Sequence, residues 1–142
     1  MKNEPFIIER TFDAPAARVW KALTDPAQMK EWYFDLPGFK PEVGFEFQFE
    51  AGKDGKKKYL HLCKITGVVP GQKISYTWRY EGYEGDSHVI FELFPEGNKT
   101  RLKLTHEGLE TFPKSNPDLN KKNFAKGWTG IIGTSLKDFL KK

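Results

Sequence analysis

The segment Phe124–Leu140 sets Phe124, Trp128, Ile131, Ile132, Leu136, Phe139 and Leu140 at spacings of three and four residues. That spacing draws one wide apolar stripe along a helix, with Trp128 its largest side chain. A helix loaded in this way has to bury the stripe against another layer. The only partner large enough is the region from Gly44 to Glu107, which reads as alternating strands. The space between this helix and that sheet is therefore the expected place for a binding site.

The strands follow from their parity. Phe6–Phe12 reads as the first. Asp13-Ala14-Pro15 then opens a helix, with Asp13 or Ala14 near the cap, Pro15 in the first turn, and Val19, Trp20 and Leu23 on the apolar side. Asp25 caps a second short helix with Pro26 at its first position, followed by Met29, Trp32 and Tyr33. Phe34–Val43, punctuated by Pro37, Gly38 and Pro41, reads as irregular. Phe45, Phe47 and Phe49 alternate with Glu46, Gln48 and Glu50, the signature of a strand with one wet face. Tyr59–Val69 is apolar on both parities, which predicts a bend or bulge and leaves its faces open. Ile74, Tyr76, Trp78 and Tyr80 share a face. So do Val89, Phe91 and Leu93, with Ile90 and Phe94 as the visible apolar residues on the other side. Leu102, Leu104 and His106 share the face of the last strand, opposite Arg101, Lys103 and Glu107. The order is a strand, two short helices, about five further antiparallel strands and a long helix. This is an α+β sandwich with the helices on one face of the sheet.

The chain's 142 residues are about one domain's worth, so residues 1–142 are read as a single domain. One cysteine rules out an intramolecular disulfide. The first residues lack the apolar core of a secretory signal, and no apolar run approaches membrane-spanning length, so the expected location is cytoplasmic. A net charge of +4 raises the question of nucleic acid. The densest basic run, Lys53–Lys58, surrounds an Asp54-Gly55 turn and reads as a solvated hairpin tip in preference to a phosphate patch. Basic residues are elsewhere mixed with acidic ones, so no nucleic-acid partner is expected. The aromatic content is the stronger anomaly: 12 Phe, 5 Tyr and 4 Trp exceed what a small core needs, and they suit the walls of a cavity.

Candidate chemistry is sparse. Cys63 and His61 lie on one strand face, but a thiol nucleophile also needs an orienting group and an oxyanion site, so a buried structural cysteine is the plainer reading. The same two residues are too few for a zinc site, and no metal is expected. His106 continues the inward parity of Leu102 and Leu104; it serves either a ligand or the core. Trp78 and Trp128 are cavity walls or plain core. Arg10 faces inward by parity and binds a carboxylate, or lies exposed at a sheet edge. Glu81, Glu84 and Asp86 fall in a Gly-rich loop and read as solvated. Asn98-Lys-Thr100 matches a glycosylation sequon but reads as a turn. No glycine-rich phosphate loop follows a strand, so no nucleotide cofactor is expected. Catalytic residues are not assigned.

Several segments occur together in one order: Phe12-Asp-Ala-Pro15, Val19-Trp20-Lys-Ala-Leu-Thr-Asp-Pro26, Trp32, Tyr76-Thr-Trp78, Thr100-Arg-Leu-Lys-Leu-Thr-His106-Glu-Gly108, and Gly127-Trp128 with Leu136. In this the chain resembles the homologues of the activator of heat-shock protein 90 ATPase, of the C-terminal-domain type, within the START-like or SRPBCC superfamily. The resemblance implies a helix-grip fold like that of the major birch-pollen allergen: a curved antiparallel sheet wrapped around the long C-terminal helix, with a cavity between them. The superfamily includes lipid carriers, hormone receptors and polyketide cyclases.

Parity and the helix stripe together nominate Trp32, Phe49, Tyr76, Trp78, Phe91, Leu104, His106, Trp128 and Ile132 as the lining of such a cavity. The leading expectation is non-enzymatic binding of a small hydrophobic or amphipathic molecule there, with Tyr76 and His106 as polar handles. An interaction module with a chaperone partner, and an enzyme of cyclase or hydrolase type, are the alternatives. A monomer or weak dimer is expected; the ligand and the biological process stay open.

Overall fold

Alternation of buried and more exposed side chains recurs through the sheet of the computed structural model, which describes residues 5–36, 38–52, 58–113, 115, 119 and 121–141. Six strands carry it: β1 (Phe6–Phe12), β2 (Glu46–Gly52), β3 (Lys58–Val69), β4 (Lys73–Tyr80), β5 (Ser87–Glu96) and β6 (Lys99–Glu107). They form one antiparallel sheet in the order β1-β6-β5-β4-β3-β2. Strands β2 to β6 are a meander, and only β1 arrives from far along the chain, pairing with β6. The basic run at 53–57 lies outside the described residues.

Between β1 and β2 lie α1 (Ala16–Thr24) and α2 (Pro26–Trp32). Pro15 precedes α1 instead of sitting inside its first turn. Its extended backbone turns its carbonyl to accept the amides of Arg18 and Val19. Val19, Ala22 and Leu23 are buried, while Trp20 is half-buried. Asp25 stands at the cap of α2 as expected, though its side chain makes no capping bond.

The C-terminal helix is three segments in one. α3 (Lys121–Gly130) is regular, Ile131–Leu136 widens into π-helical turns, and α4 (Lys137–Leu140) closes the chain. Poor helix formers, Gly127, Gly130 and Gly133, punctuate the change. The stripe survives it: Phe124, Trp128, Ile132 and Leu136 are buried, and Ile131, Phe139 and Leu140 are half-buried.

The sequence left the faces of β3 open. Tyr59, His61, Cys63 and Ile65 point inward, and a register shift between Ile65 and Gly67 ends that alternation. The β3–β4 ladder is also interrupted between the Leu62–Arg79 and Ile65–Tyr76 pairs, where the Lys64 amide donates to the Thr77 hydroxyl at 3.0 Å. On the outer face Ile90 and Phe94 are half-buried. More exposed are Ile7, Val43 and Val69, which parity alone had not singled out.

Candidate functional site: an aromatic interior between sheet and helix

All nine nominated residues are buried. They come from six elements: Trp32 from α2, Phe49 from β2, Tyr76 and Trp78 from β4, Phe91 from β5, Leu104 and His106 from β6, and Trp128 and Ile132 from the C-terminal helix. Their rings touch. Trp128 lies 5.4 Å from Trp78 and 6.0 Å from Phe91 between ring centroids, and Phe49 lies 5.8 Å from Trp78. Around them stand half-buried aromatics of the 33–47 segment: Tyr33, Phe34, Phe45 and Phe47. Phe34 stacks on Phe49 at 4.1 Å, and Phe47 meets Tyr76 edge-on at 5.1 Å. The aromatic surface thus runs without a break from the part-exposed rim into the interior.

Polar atoms inside are paired. Trp32 Nε1–H donates to the carbonyl of Ala22 at 2.8 Å. Trp128 Nε1–H donates to Nδ1 of His106 at 2.9 Å. An indole can only donate, so Nδ1 is the acceptor and the proton of the neutral imidazole sits on Nε2. Nε2–H then faces the Ser87 hydroxyl at 2.8 Å, and that hydroxyl donates to the carbonyl of Trp78. Trp78 Nε1–H donates to the Tyr80 hydroxyl at 2.8 Å. Burial, with His88 adding a smaller push, lowers the His106 pKa to about 3, which keeps the ring neutral. Both of its nitrogens serve the protein itself. Among the described residues no fully buried side-chain nitrogen or oxygen lacks a partner.

Sequence reasoning left Tyr33, Tyr80 and Ser87 out of the lining, although it set Tyr80 on one face with Tyr76 and Trp78. The hydroxyls of Tyr33 and Tyr76 share a hydrogen bond of 2.6 Å. Desolvation raises both phenol pKa values, so both stay protonated. Tyr33 follows the last residue of α2, where no periodicity points its side chain. Ser87 carried a usable signal: it has the inward parity of Val89, Phe91 and Leu93.

Cys63 and His61 do share a face, but they do not form a pair. His61 Nδ1–H donates to the Tyr59 carbonyl at 2.9 Å, and its ring stacks on Phe49 at 4.5 Å. Burial lowers its pKa to about 4, against a smaller opposing effect of backbone hydrogen bonds. Burial raises that of the Cys63 thiol, and the Arg79 charge offsets this only in part. A protonated, buried thiol is a poor nucleophile. Arg10 is exposed, and Nη1 donates to the Glu9 carbonyl at 2.8 Å. Glu81, Glu84 and Asp86 are exposed. Thr100 of the sequon is fully buried and donates to the Ala14 carbonyl at 2.8 Å. No three metal-ligating side chains converge among the described residues.

The opposite face of the sheet carries an open groove of about 610 Å³ over β2, β3 and β4. Glu46, Gln48, Leu62, Lys64, Thr77 and Arg79 are among its lining. It lies where the β3–β4 ladder is interrupted.

The family model described as Activator of Hsp90 ATPase homolog 1-like protein matches residues 13–141. The chain belongs to this family. Solved structures agree on the START-like fold. Mll3558 of Rhizobium loti superposes with a TM-score of 0.82 at 26% identity, covering 96% of each chain. MLL2253 of Mesorhizobium loti gives 0.77 at 26% identity, over 97% of each chain. CalU16 of Micromonospora echinospora gives 0.69 at 28% identity, covering 96% of this chain and 73% of that one. No curated protein matches the sequence. The family's helix-grip architecture is what the strand order and terminal helix build here. No helix among the described residues is long and apolar enough to cross a membrane.

Proposed function

We propose that this single domain, residues 1–142, binds a small hydrophobic or amphipathic molecule between the sheet and the C-terminal helix, without converting it. One observation carries the reading: the aromatic lining continues from the half-buried rim of Tyr33, Phe34, Phe45 and Phe47 to the buried rings of Phe49, Trp78, Phe91 and Trp128. A rim of part-exposed aromatics gives an apolar molecule a favourable route inward, since each ring that it covers leaves water. Because the inner rings touch one another, a ligand takes its place by parting them. The test is native mass spectrometry of protein purified from its own host. A retained small molecule that raises the melting temperature when added back is the expected result. Ligand-free protein, with no melting shift across a panel of fatty acids, sterols and aromatic polyketides, would overturn the proposal.

A second reading, a protein-interaction module in keeping with the family's description, draws on the outer groove over β2–β4. Its mixed charge, with Glu46 beside Lys64 and Arg79 beside Leu62 across the strands, suits a polar partner surface. Charge reversal of Lys64 and Arg79 with unchanged capture of the heat-shock protein 90 ATPase would count against it.

A further inference from the structure

We propose that the Tyr33–Tyr76 hydroxyl pair is a hydrogen-bond-donating subsite for a neutral carbonyl oxygen of the ligand. The inference rests on the ligand-binding reading above and names the chemistry of its polar end. It begins with a count of protons. Each phenol has one O–H to donate. The two hydroxyls meet at 2.6 Å, and this is the hydrogen bond that each makes among the described residues. One proton is spent in that contact, whichever phenol donates it. The other has no acceptor among the described residues, on a pair in which Tyr76 is 2% exposed and Tyr33 is half-buried. A buried donor without an acceptor is costly, and a ligand oxygen that receives it recovers that cost.

The surroundings select among oxygen types. Phe47, Phe91 and Trp128 stand against the two phenol rings at centroid distances of 5.1 to 6.4 Å. No Lys or Arg side chain is buried among the described residues, so a carboxylate would enter with no counter-charge and a large desolvation cost. An alcohol brings a further O–H that itself needs an acceptor. A hydrocarbon leaves the phenol proton unused. A ketone or ester carbonyl accepts without donating, carries no charge, and fits an aromatic wall through its apolar flanks. Both phenols remain neutral and therefore remain donors, as their burial requires.

Three probes of one shape separate these cases: 2-acetylnaphthalene, 2-ethylnaphthalene and 2-naphthoate, with binding followed by calorimetry at pH 7.5. The expected order is acetyl tightest, ethyl weaker by about three- to tenfold, the worth of one net hydrogen bond, and naphthoate weakest. The same count predicts an unusual mutational pattern. Tyr33→Phe leaves Tyr76 with a free O–H, and Tyr76→Phe leaves Tyr33 with one, so each single variant keeps the acetyl preference. Tyr33→Phe/Tyr76→Phe has no donor and loses it, while ethylnaphthalene still binds. Tyr80, whose hydroxyl accepts the Trp78 indole proton, supplies the comparison variant: Tyr80→Phe keeps the preference. The infrared carbonyl stretch of acetylnaphthalene bound to the wild-type protein needs no variant, and it should lie below its position in hexane. Equal binding of the acetyl and ethyl probes, an unshifted stretch, tightest binding of naphthoate, or a preference lost in Tyr80→Phe would each overturn the subsite while leaving ligand binding intact. If neither neutral naphthalene binds, the ligand-binding reading falls, and the subsite falls with it.

Discussion

At the scale of single residues, Trp128 and His106 join helix to sheet. The indole ring fills the space against Trp78 and Phe91, and its N–H ties the helix to β6 through His106. Trp128→Ala should cost about 3–5 kcal/mol, the range for removing a large buried aromatic; a loss below about 1 kcal/mol in urea melts would contradict that role. The two buried histidines give stability a pH dependence. His61 and His106 have folded pKa values of about 4 and about 3, below the 6.5 of a free imidazole. Between those limits the unfolded chain binds protons that the folded chain refuses. Stability is therefore complete above about pH 6.5 and falls as pH drops, by about 1.4 kcal/mol per pH unit for each histidine. A flat stability profile from pH 7 to pH 5 would exclude it. Protonation also turns Nδ1 of His106 into a donor, which the Trp128 N–H cannot meet. In this cluster, parity put Trp78 and His106, and the helix stripe put Trp128, on the side that is buried. The hydrogen bonds that make His106 a structural residue reach Ser87 on β5 and Trp128 on the C-terminal helix, 19 and 22 residues away, and no local pattern encodes them.

Among the elements, the C-terminal helix shows how a pattern can be right while its geometry differs. Spacings of three and four put Phe124, Trp128, Ile132 and Leu136 on one side, and all four are buried. The π-helical turns of Ile131–Leu136 are invisible to that reading, because the four-residue steps from Trp128 to Leu136 fit the wider turn as well. The glycines are the accessible test. Gly127 lies exposed in α3, and a Cβ there would meet nothing within 4 Å. Gly127→Ala should therefore stabilise the protein by about 0.8–1 kcal/mol through helix propensity. Gly85, before β5, is the opposite case. Its φ is +110°, and an added Cβ would stand 2.7 Å from the Thr111 carbonyl oxygen. Gly85→Ala should destabilise by about 1–3 kcal/mol. Denaturant midpoints of the two variants moving in the same direction would refute this account of the backbone.

Over the whole molecule, the sheet separates two surfaces that the sequence distinguished only as parities. The inward one is aromatic. On the outward one acidic and basic residues face each other across strands, as in Glu9 opposite Lys103 and Glu46 opposite Lys64. Arg101 illustrates the mixing, bound to Glu9 at 2.7 Å and Glu96 at 3.2 Å while lying over the Phe94 ring. What a parity reading could not supply is the outer groove, since its lining is drawn from three strands and the loop before β5 and from no run of residue types. Two candidate surfaces invite a test that tells them apart, and the tryptophans provide it. Trp32, Trp78 and Trp128 are buried on the inner side, whereas the groove over β2–β4 has no tryptophan in its lining. An apolar ligand that parts the inner rings should quench tryptophan emission. It should also raise stability as RT ln(1 + [L]/Kd), about 2.7 kcal/mol at a hundredfold excess over the dissociation constant. A ligand seated in the outer groove would raise stability by the same law with the emission unchanged. Titrations of one ligand, read by fluorescence and by melting, should therefore give the same dissociation constant if the interior is the site. Stabilisation without quenching would move the site to the outer face of the sheet.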